Sequence, residues 1–247
     1  MKAYFESENL KYKRTFARKL PVIAPILLLI LGLIAPMWFQ INTFNWWYCM
    51  LYPGVLTLLC IMVNRKDSGK LKCRAIIPMP VSLKKVWAAK IAVCVTYVQI
   101  ANLIFALGNI LGGLLIKNIF EIKPAVSAGA ALLAVICIEI TTIWEIPFCL
   151  WLSQKIGMWG TLIWNLGASC ILGILLASEK AWIASPYSWA IRLMVPVLGI
   201  QPNGYKVNGL ELSVSSSKII LVLMAALFLF GFLSVITAEN FQKEEVQ

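Results

Sequence analysis

Long uncharged apolar runs, separated by short polar or basic gaps, dominate the chain. Each run is close to the roughly 20 residues that a helix needs to cross the hydrocarbon of a bilayer. The pattern predicts an all-α integral membrane protein with six transmembrane helices in a single domain over residues 1–247. The predicted spans are residues 20–38, 46–63, 91–116, 125–152, 156–177 and 219–238. Pro36 and the polar break Gln40–Asn45 are expected to separate the first two spans.

Basic residues are divided unequally between alternate gaps. One set of gaps holds sixteen of the Lys and Arg residues, eight of them between Arg65 and Lys90, and the other set holds six. Positively charged segments are retained on the cytoplasmic side of a membrane. The count therefore predicts that both termini are cytoplasmic and that the number of spans is even. We expect the first span to be an uncleaved signal anchor.

Two segments outside the predicted spans have patterns of their own. Residues 1–19 place Phe5, Tyr12 and Phe16 at helical spacing among basic residues, which predicts an interfacial amphipathic helix, or else a plain basic anchor. Residues 178–217 contain Ser185-Pro186, a favourable helix start. We expect a short external helix that re-enters the membrane and ends near Pro196 and the turn Gln201–Gly204.

Composition narrows the chemistry. Hydrophobic residues make up 60% of the chain, charged residues 13%, and the mean hydropathy is +0.82. The net charge of +11 lies in the gaps, so it indicates topology and not nucleic-acid binding. The seven cysteines show no metal or disulfide spacing and are interpreted as packing residues.

Two absences from the sequence bear on enzymatic function. There is no histidine, the commonest general base and a common metal ligand. Ser68-Gly69-Lys70 lacks the upstream glycine and the following hydroxyl residue of an ATP-binding P-loop. We therefore predict no catalytic residues, no metal site and no cofactor, and we expect any ATP to be bound by another subunit.

Glu139 and Glu145 are the ionisable residues inside the predicted spans, and with Thr142 they recur every third residue of span four. An intramembrane carboxylate is costly enough to be a functional hypothesis. One interpretation is a pathway for a cationic substrate. The alternative, which we favour, is a protonated or hydrogen-bonded Glu that locks helices together. Asn102, Asn109 and Asn165 are its candidate partners, and Glu145 is expected to be half solvated.

The basic loop at residues 78–90 combines prolines, charges and an aromatic residue. Pro78-Met79-Pro80 halts the chain and Ser82 is a candidate helix cap. The next turns would present a cationic surface with an exposed aromatic side chain to a partner protein. The candidate contact residues are Val81, Lys84, Lys85, Trp87 and Lys90. Attraction to anionic lipid headgroups is the alternative, and it accounts for the charges but not for Trp87 or the prolines.

Several short motifs resemble one family over essentially the whole chain. They are Glu8–Phe16, Asn45–Tyr48, Arg74, Pro78–Val81, Lys84–Trp87 and Ala89-Lys90, with weaker likenesses at Pro147-Phe148 and Pro186–Trp189. Together they resemble the permease subunits of lantibiotic-immunity ABC transporters, of the E type (MutE/EpiE). None of these motifs is a catalytic signature.

The resemblance implies an exporter in the bacterial cell membrane. It implies two copies of a cytoplasmic ABC ATPase, a related second permease subunit and a cationic lantibiotic substrate. Residues 81–90 would be the coupling helix on the ATPase. ATP-driven closure of the ATPase would then expel the peptide from the membrane.

Two other interpretations remain open at this point. The first is an ABC permease for another bacteriocin, peptide antibiotic or lipid. The second, of another class, is a non-transporting membrane sensor or assembly anchor that docks a partner through residues 65–90. A secondary transporter is disfavoured because the chain shows no repeated halves and no chain of paired intramembrane charges.

Overall fold

The computed structural model describes residues 1–68, 81–206 and 214–244. These residues form helices and no named strand, with one isolated antiparallel bridge between Ile200 and Lys206. The helices are α1 (Lys2–Lys11), α2 (Phe16–Gly32), α3 (Phe39–Trp46), α4 (Tyr52–Ser68), α5 (Leu83–Phe120), α6 (Ala128–Thr142), α7 (Glu145–Lys155), α8 (Gly157–Ala168), α9 (Ile174–Ser178), α10 (Pro186–Leu198) and α11 (Ser216–Glu244). The all-α prediction is confirmed for this part of the chain.

Four continuous helical stretches of the described chain are long and apolar enough to cross a membrane. They are Pro36–Asp67, Leu83–Phe120, Gly157–Ser178 and Ser216–Lys243. Two bent helix pairs, α1 with α2 and α6 with α7, raise the number to six if each pair is one span. The outer face of α11 carries exposed Met224, Phe228 and Val235. A face of this kind is suited to lipid, and the chain is a membrane-embedded protein.

The N-terminal residues form a helix separate from the first apolar one. After α1 the chain turns at residues 12–15, and α2 leaves at 79° to α1. Tyr97 on α5 donates a hydrogen bond to Asn9 on α1, with an oxygen–oxygen distance of 2.7 Å. The predicted boundary at residue 20 therefore falls inside α2, which already begins at Phe16.

The prediction that Gln40–Asn45 is a break between spans was wrong. Residues 36–67 form one helical stretch, with a 3₁₀ turn at Pro36–Trp38 and a π-helical turn at Trp47–Leu51. The polar side chains are tolerated because they find partners in the protein. Gln40 accepts from the backbone N–H of Val126 at 2.9 Å, and Asn109 donates to Thr43 at 2.8 Å.

Small residues allow α3 and α5 to approach closely. A Cβ atom at Gly112 would collide with the ring of Phe39, and one at Gly113 would lie 2.6 Å from Nε2 of Gln40. Close approach through small residues is a common way for membrane helices to pack, because lipid gives little hydrophobic drive between helices. This contact brings the Gln40 side chain to Asn109, also on α5.

The core lies where α4, α5 and the π-helical turn meet α6, α7 and α10. Trp47 stacks on Phe105 at 4.8 Å between ring centroids, and Phe44 meets the same ring edge-on at 5.0 Å. The predicted start of the short helix after Ser185 is confirmed by α10, although Ser185 makes no side-chain cap hydrogen bond. Pro196 lies inside α10, which ends at Leu198 and is capped by Gly199, whose φ of 67° suits glycine.

Candidate functional site

Four of the five predicted coupling residues belong to the first turns of α5 and not to a separate short helix, and Val81 lies just before α5. The long helix begins at Leu83, eight residues before the predicted span, with Ser82 at its N-cap. Pro78, Met79 and Pro80 lie outside the described residues. Lys84 and Lys85 are exposed, while Val81 is half-buried. The exposed part of the predicted contact surface is therefore small and cationic.

Trp87 is buried, so the prediction of an exposed aromatic side chain was wrong. Its relative exposure is 0%, and its ring stacks on Phe241 of α11 with the centroids 4.7 Å apart. The indole Nε1 donates to Oγ1 of Thr237 at 2.9 Å. Trp87 is covered by residues of the same chain because α11 packs alongside the start of α5. It therefore fixes α5 to α11.

Lys90 is also fully buried and belongs to a cluster of four charges. Its Nζ lies 3.0 Å from Oδ2 of Asp67, at an angle that makes the contact an ion pair and not an aligned hydrogen bond. The Phe241 ring centroid lies 5.1 Å from the same Nζ. Lys11 contacts Oε1 of Glu8 at 2.6 Å and both Asp67 oxygens at 3.1 Å.

We call Glu8, Lys11, Asp67 and Lys90 the charge cluster. Two carboxylates face two ammonium groups, so the cluster has no net charge when all four are ionised. This balance is what allows charges to be buried, because an unpaired ion in a low-dielectric interior is strongly unfavourable. The cluster joins α1, α4 and α5.

Hydrogen bonds around Tyr12 reinforce the charge cluster. The Tyr12 hydroxyl lies 3.2 Å from Oε2 of Glu8 and 3.1 Å from the carbonyl oxygen of Val63. Burial raises the pKa of Tyr12, with the charges of Glu8 and Asp67 acting in the same direction. Burial by itself would lower the pKa of Lys11, but the hydrogen bonds and charges of the two carboxylates outweigh it and raise this pKa.

Sequence reasoning named Lys90 but missed Glu8, Lys11 and Asp67 as its cluster. A signal was present, since Asp67 is the one aspartate of the sequence and follows Arg65 and Lys66 at the end of an apolar run. An acidic residue inside a basic segment is a candidate for pairing. Its partners remained hidden because Lys11 is 56 residues away along the chain.

A second polar arrangement lies among the apolar helices around Glu145. This carboxyl group is 2% exposed, and its Oε2 accepts a hydrogen bond from Nδ2 of Asn165 on α8 at 2.8 Å. The same amide donates to Oγ1 of Thr57 on α4 at 2.8 Å, and Tyr187 donates to Oδ1 of Asn165 at 3.0 Å. We call Glu145, Asn165, Thr57 and Tyr187 the amide network.

The amide network joins Glu145 to Asn165, one of the three candidate partners, by a hydrogen bond between helices. The expectation that Glu145 is half solvated was wrong, because α4, α8 and α10 surround it. Glu145 is also the first residue of α7, and a carboxyl group there is favoured by the free N–H groups of the helix start.

Thr142 and Glu139 do not join Glu145 in one site. The helix pair α6 and α7 bends by 43° between Thr142 and Glu145. The Thr142 hydroxyl oxygen lies 3.1 Å from the Tyr52 hydroxyl and 2.7 Å from the carbonyl oxygen of Ile138. Glu139 is half-buried, and its carboxyl group interacts with the side-chain amide of Gln99. Of the three predicted pathway residues, Glu139 is the one with an accessible carboxyl group.

The other two candidate asparagines have different partners. Trp47 donates to Oδ1 of Asn102 at 3.0 Å, and Asn109 bonds Thr43 and Gln40. Within the described residues no three His, Cys, Asp or Glu side chains form a group that could hold a metal ion. The described cysteines are unpaired by disulfides.

The geometry defines a membrane-embedded helical protein with a buried charge cluster and a hydrogen-bonded amide network among its apolar helices. No family model, curated protein or solved structure matches the chain. The functional proposal therefore depends on the sequence motifs and on the positions of these residues.

Proposed function

We propose that the chain is the permease subunit of an ABC exporter that confers lantibiotic immunity by expelling the peptide from the bacterial cell membrane. In this assembly both termini are cytoplasmic. Two copies of an ATPase subunit bind ATP, and a related permease subunit completes the pathway. The motif resemblance supports the assignment, and the chain's lack of a P-loop sequence is consistent with ATP binding by a separate subunit.

The observation that carries the proposal is the length of α5. It is one helix of 38 residues, or about 57 Å at 1.5 Å per residue. The hydrocarbon of a bilayer is only about 30 Å thick. A helix of this length extends beyond the membrane at one or both ends. Lys84 and Lys85 stand exposed on its first turn, where a soluble partner has access to them.

Contacts near the N-terminal end of α5 connect this helix to several others. Trp87 fixes it to α11, Lys90 fixes it to α4 through Asp67, and Tyr97 fixes it to α1. Further along, Asn102 and Asn109 bond residues of the stretch 36–67. A displacement applied at Lys84 and Lys85 would therefore move several spans together. Such coupled movement is what an ATP-driven exporter requires.

The cationic cargo would meet Glu139 and not Glu145. Glu145 is buried and bonded to Asn165, and the Thr142 hydroxyl lies within hydrogen-bond distance of Tyr52 and of the Ile138 carbonyl in its own helix. Glu139 is half-buried, so a cationic side chain can approach its carboxyl group without unpacking the helices. We assign Glu139 to the cargo pathway and the other two residues to helix packing.

The test uses charge reversal at the two ends of α5. The chain is expressed with its ATPase and second permease in a lantibiotic-sensitive host, and survival is scored across a lantibiotic panel. We expect Lys84→Glu with Lys85→Glu to abolish resistance, because a cationic contact becomes repulsive. Lys117→Glu with Lys123→Glu is the matched control, since both lysines are exposed near the other end of α5. The control should retain resistance.

Immunoblotting of the membrane fraction verifies that all variants are produced. Co-purification of the ATPase should fall with the first pair and persist with the second. Equal loss in both pairs would contradict coupling through Lys84 and Lys85. Absence of resistance in the wild type across the panel, with the ATPase still bound, would contradict the lantibiotic cargo and leave an ABC permease of another specificity.

A further inference from the structure

A cavity of about 380 Å³ opens between α4, α7 and the start of α8. It is separate from the charge cluster and from the amide network. Its lining combines polar and apolar side chains. The lining residues are Ile61, Asn64, Arg65, Ser153, Gly157, Met158 and Trp159. A hydrogen bond joins α4 to α7 in the wall of the cavity: Asn64 donates to Oγ of Ser153 at 2.9 Å.

Arg65 gives the cavity a positive charge that is not balanced locally. The guanidinium is exposed, and its contact within the described chain is with the sulfur of Met158, 3.6 Å from Nη1. Among the described residues, no carboxylate lines the cavity and Arg65 forms no ion pair. Lys11 and Lys90, by contrast, are both paired with Asp67.

The cavity lies where the surface changes from charged to apolar. Arg65 and Lys66 end α4 on one side, and Lys155 ends α7 on the other. Immediately after them Ile156, Trp159 and Ile163 are exposed, at 48%, 69% and 71%. Trp159 and Ile163 are four residues apart and share one face of α8, and Ile156 directly precedes this helix. Such a transition, with a tryptophan at the boundary, is typical of the headgroup level of a bilayer.

We propose that this cavity binds an anionic membrane phospholipid. The guanidinium of Arg65 would bind the phosphate, for which its planar, multidentate donors are well suited. An acyl chain would lie along the α8 face that carries Trp159 and Ile163. The ligand is a lipid and not free phosphate, because the apolar face continues directly from the charged cavity. This inference does not depend on the proposed transport function.

The experiment measures lipid retention by native mass spectrometry on the full-length chain. Phosphatidylglycerol and the zwitterionic phosphatidylcholine are added separately to the delipidated protein. We expect Arg65→Gln to weaken phosphatidylglycerol binding about fivefold, the ratio that corresponds to ~1 kcal/mol per basic residue near an anionic headgroup. Arg65→Lys should restore most of the binding. Lys66→Gln removes the same charge one residue away, outside the cavity, and should leave the affinity unchanged.

Two further arms make the outcome decisive. Ser153→Leu would fill the cavity without changing any charge, and it should weaken phosphatidylglycerol binding as well. Circular dichroism and thermal unfolding verify that the variants are folded. Equal loss in Arg65→Gln and Lys66→Gln would overturn the proposal in favour of diffuse electrostatic attraction. Equal retention of the two lipids, or displacement of phosphatidylglycerol by inorganic phosphate, would also overturn it.

Discussion

The charge cluster and the amide network both bury carboxyl groups, but they compensate for the burial differently. Asp67 faces two lysines, at 3.0 and 3.1 Å, whereas Glu145 receives one amide hydrogen bond at 2.8 Å. In the first region the charge itself is needed, because fully buried Lys90 has no other ion-pair partner among the described residues. In the second region the oxygen atom suffices as a hydrogen-bond acceptor. The first region is therefore an electrostatic attachment, and the second is an attachment through hydrogen bonds.

Asp67→Asn should have the largest effect. The variant keeps the size of the side chain but leaves Lys90 buried without a counter-charge, which typically costs about 3–5 kcal/mol. We expect a correspondingly large fall in the thermal stability of the purified protein. Glu6→Gln is the control, because its pair with Lys2 is exposed and 4.0 Å long. Surface pairs of this kind contribute little.

A double variant sharpens this first result. Asp67→Asn combined with Lys90→Met removes the charges of both partners, so no unpaired charge of Lys90 stays buried. The double variant should therefore be more stable than Asp67→Asn alone. Strict additivity of the two single effects would show that Asp67 and Lys90 do not interact in the folded protein.

Trp87→Phe should have an intermediate effect of about 1 kcal/mol. Phenylalanine can retain the stacking on Phe241 but cannot donate to Thr237. Thermal unfolding measures the loss, and Trp159→Phe serves as the control because Trp159 is 69% exposed. A change at Trp87 no larger than that at Trp159 would contradict the attachment of α5 to α11.

The pH dependence of stability should show a smaller contribution from Lys11. Its pKa is raised in the folded protein above the ordinary value of 10.5. The protonated lysine is thus favoured by folding, so its contribution is complete below 10.5 and is lost as the pH rises through the raised value. The thermal unfolding temperature should fall more steeply with rising pH across this alkaline range in the wild type than in Lys11→Met. Parallel curves would exclude a contribution of Lys11.

Glu145→Gln should have the smallest effect, within about 1 kcal/mol, since glutamine also provides an oxygen that accepts from Asn165. The same replacement of carboxylate by amide would then be severe at Asp67 and mild at Glu145, as measured by thermal unfolding of the two proteins. A severe loss at Glu145 would mean that its charge is required, and it would remove the contrast between the two regions.

The spans were predictable because hydrophobicity is a local property of the sequence. Residues 156–177 were expected to span, and the helical stretch found is Gly157–Ser178. The predictions were wrong where the partners of a residue lie far away along the sequence. Gln40 looked like part of a loop, but its side chain bonds Val126 and Asn109. Trp87 looked like a surface residue, but Thr237 and Phe241 lie 150 and 154 positions further along the chain.

The sequence by itself determined that this is an all-helical membrane protein, because long apolar segments must satisfy their own backbone hydrogen bonds in lipid. It also identified Asn165 as a candidate partner of Glu145. Only the tertiary structure decided which charges are paired and which stay exposed. Lys84 and Lys90 have the same side chain and lie on the same helix, yet Lys84 is exposed in a 3.7 Å contact with Glu239 and Lys90 is 0% exposed beside Asp67. The physical reason is that burial of a charge depends on a counter-charge brought close by packing, and sequence separation does not reveal that distance.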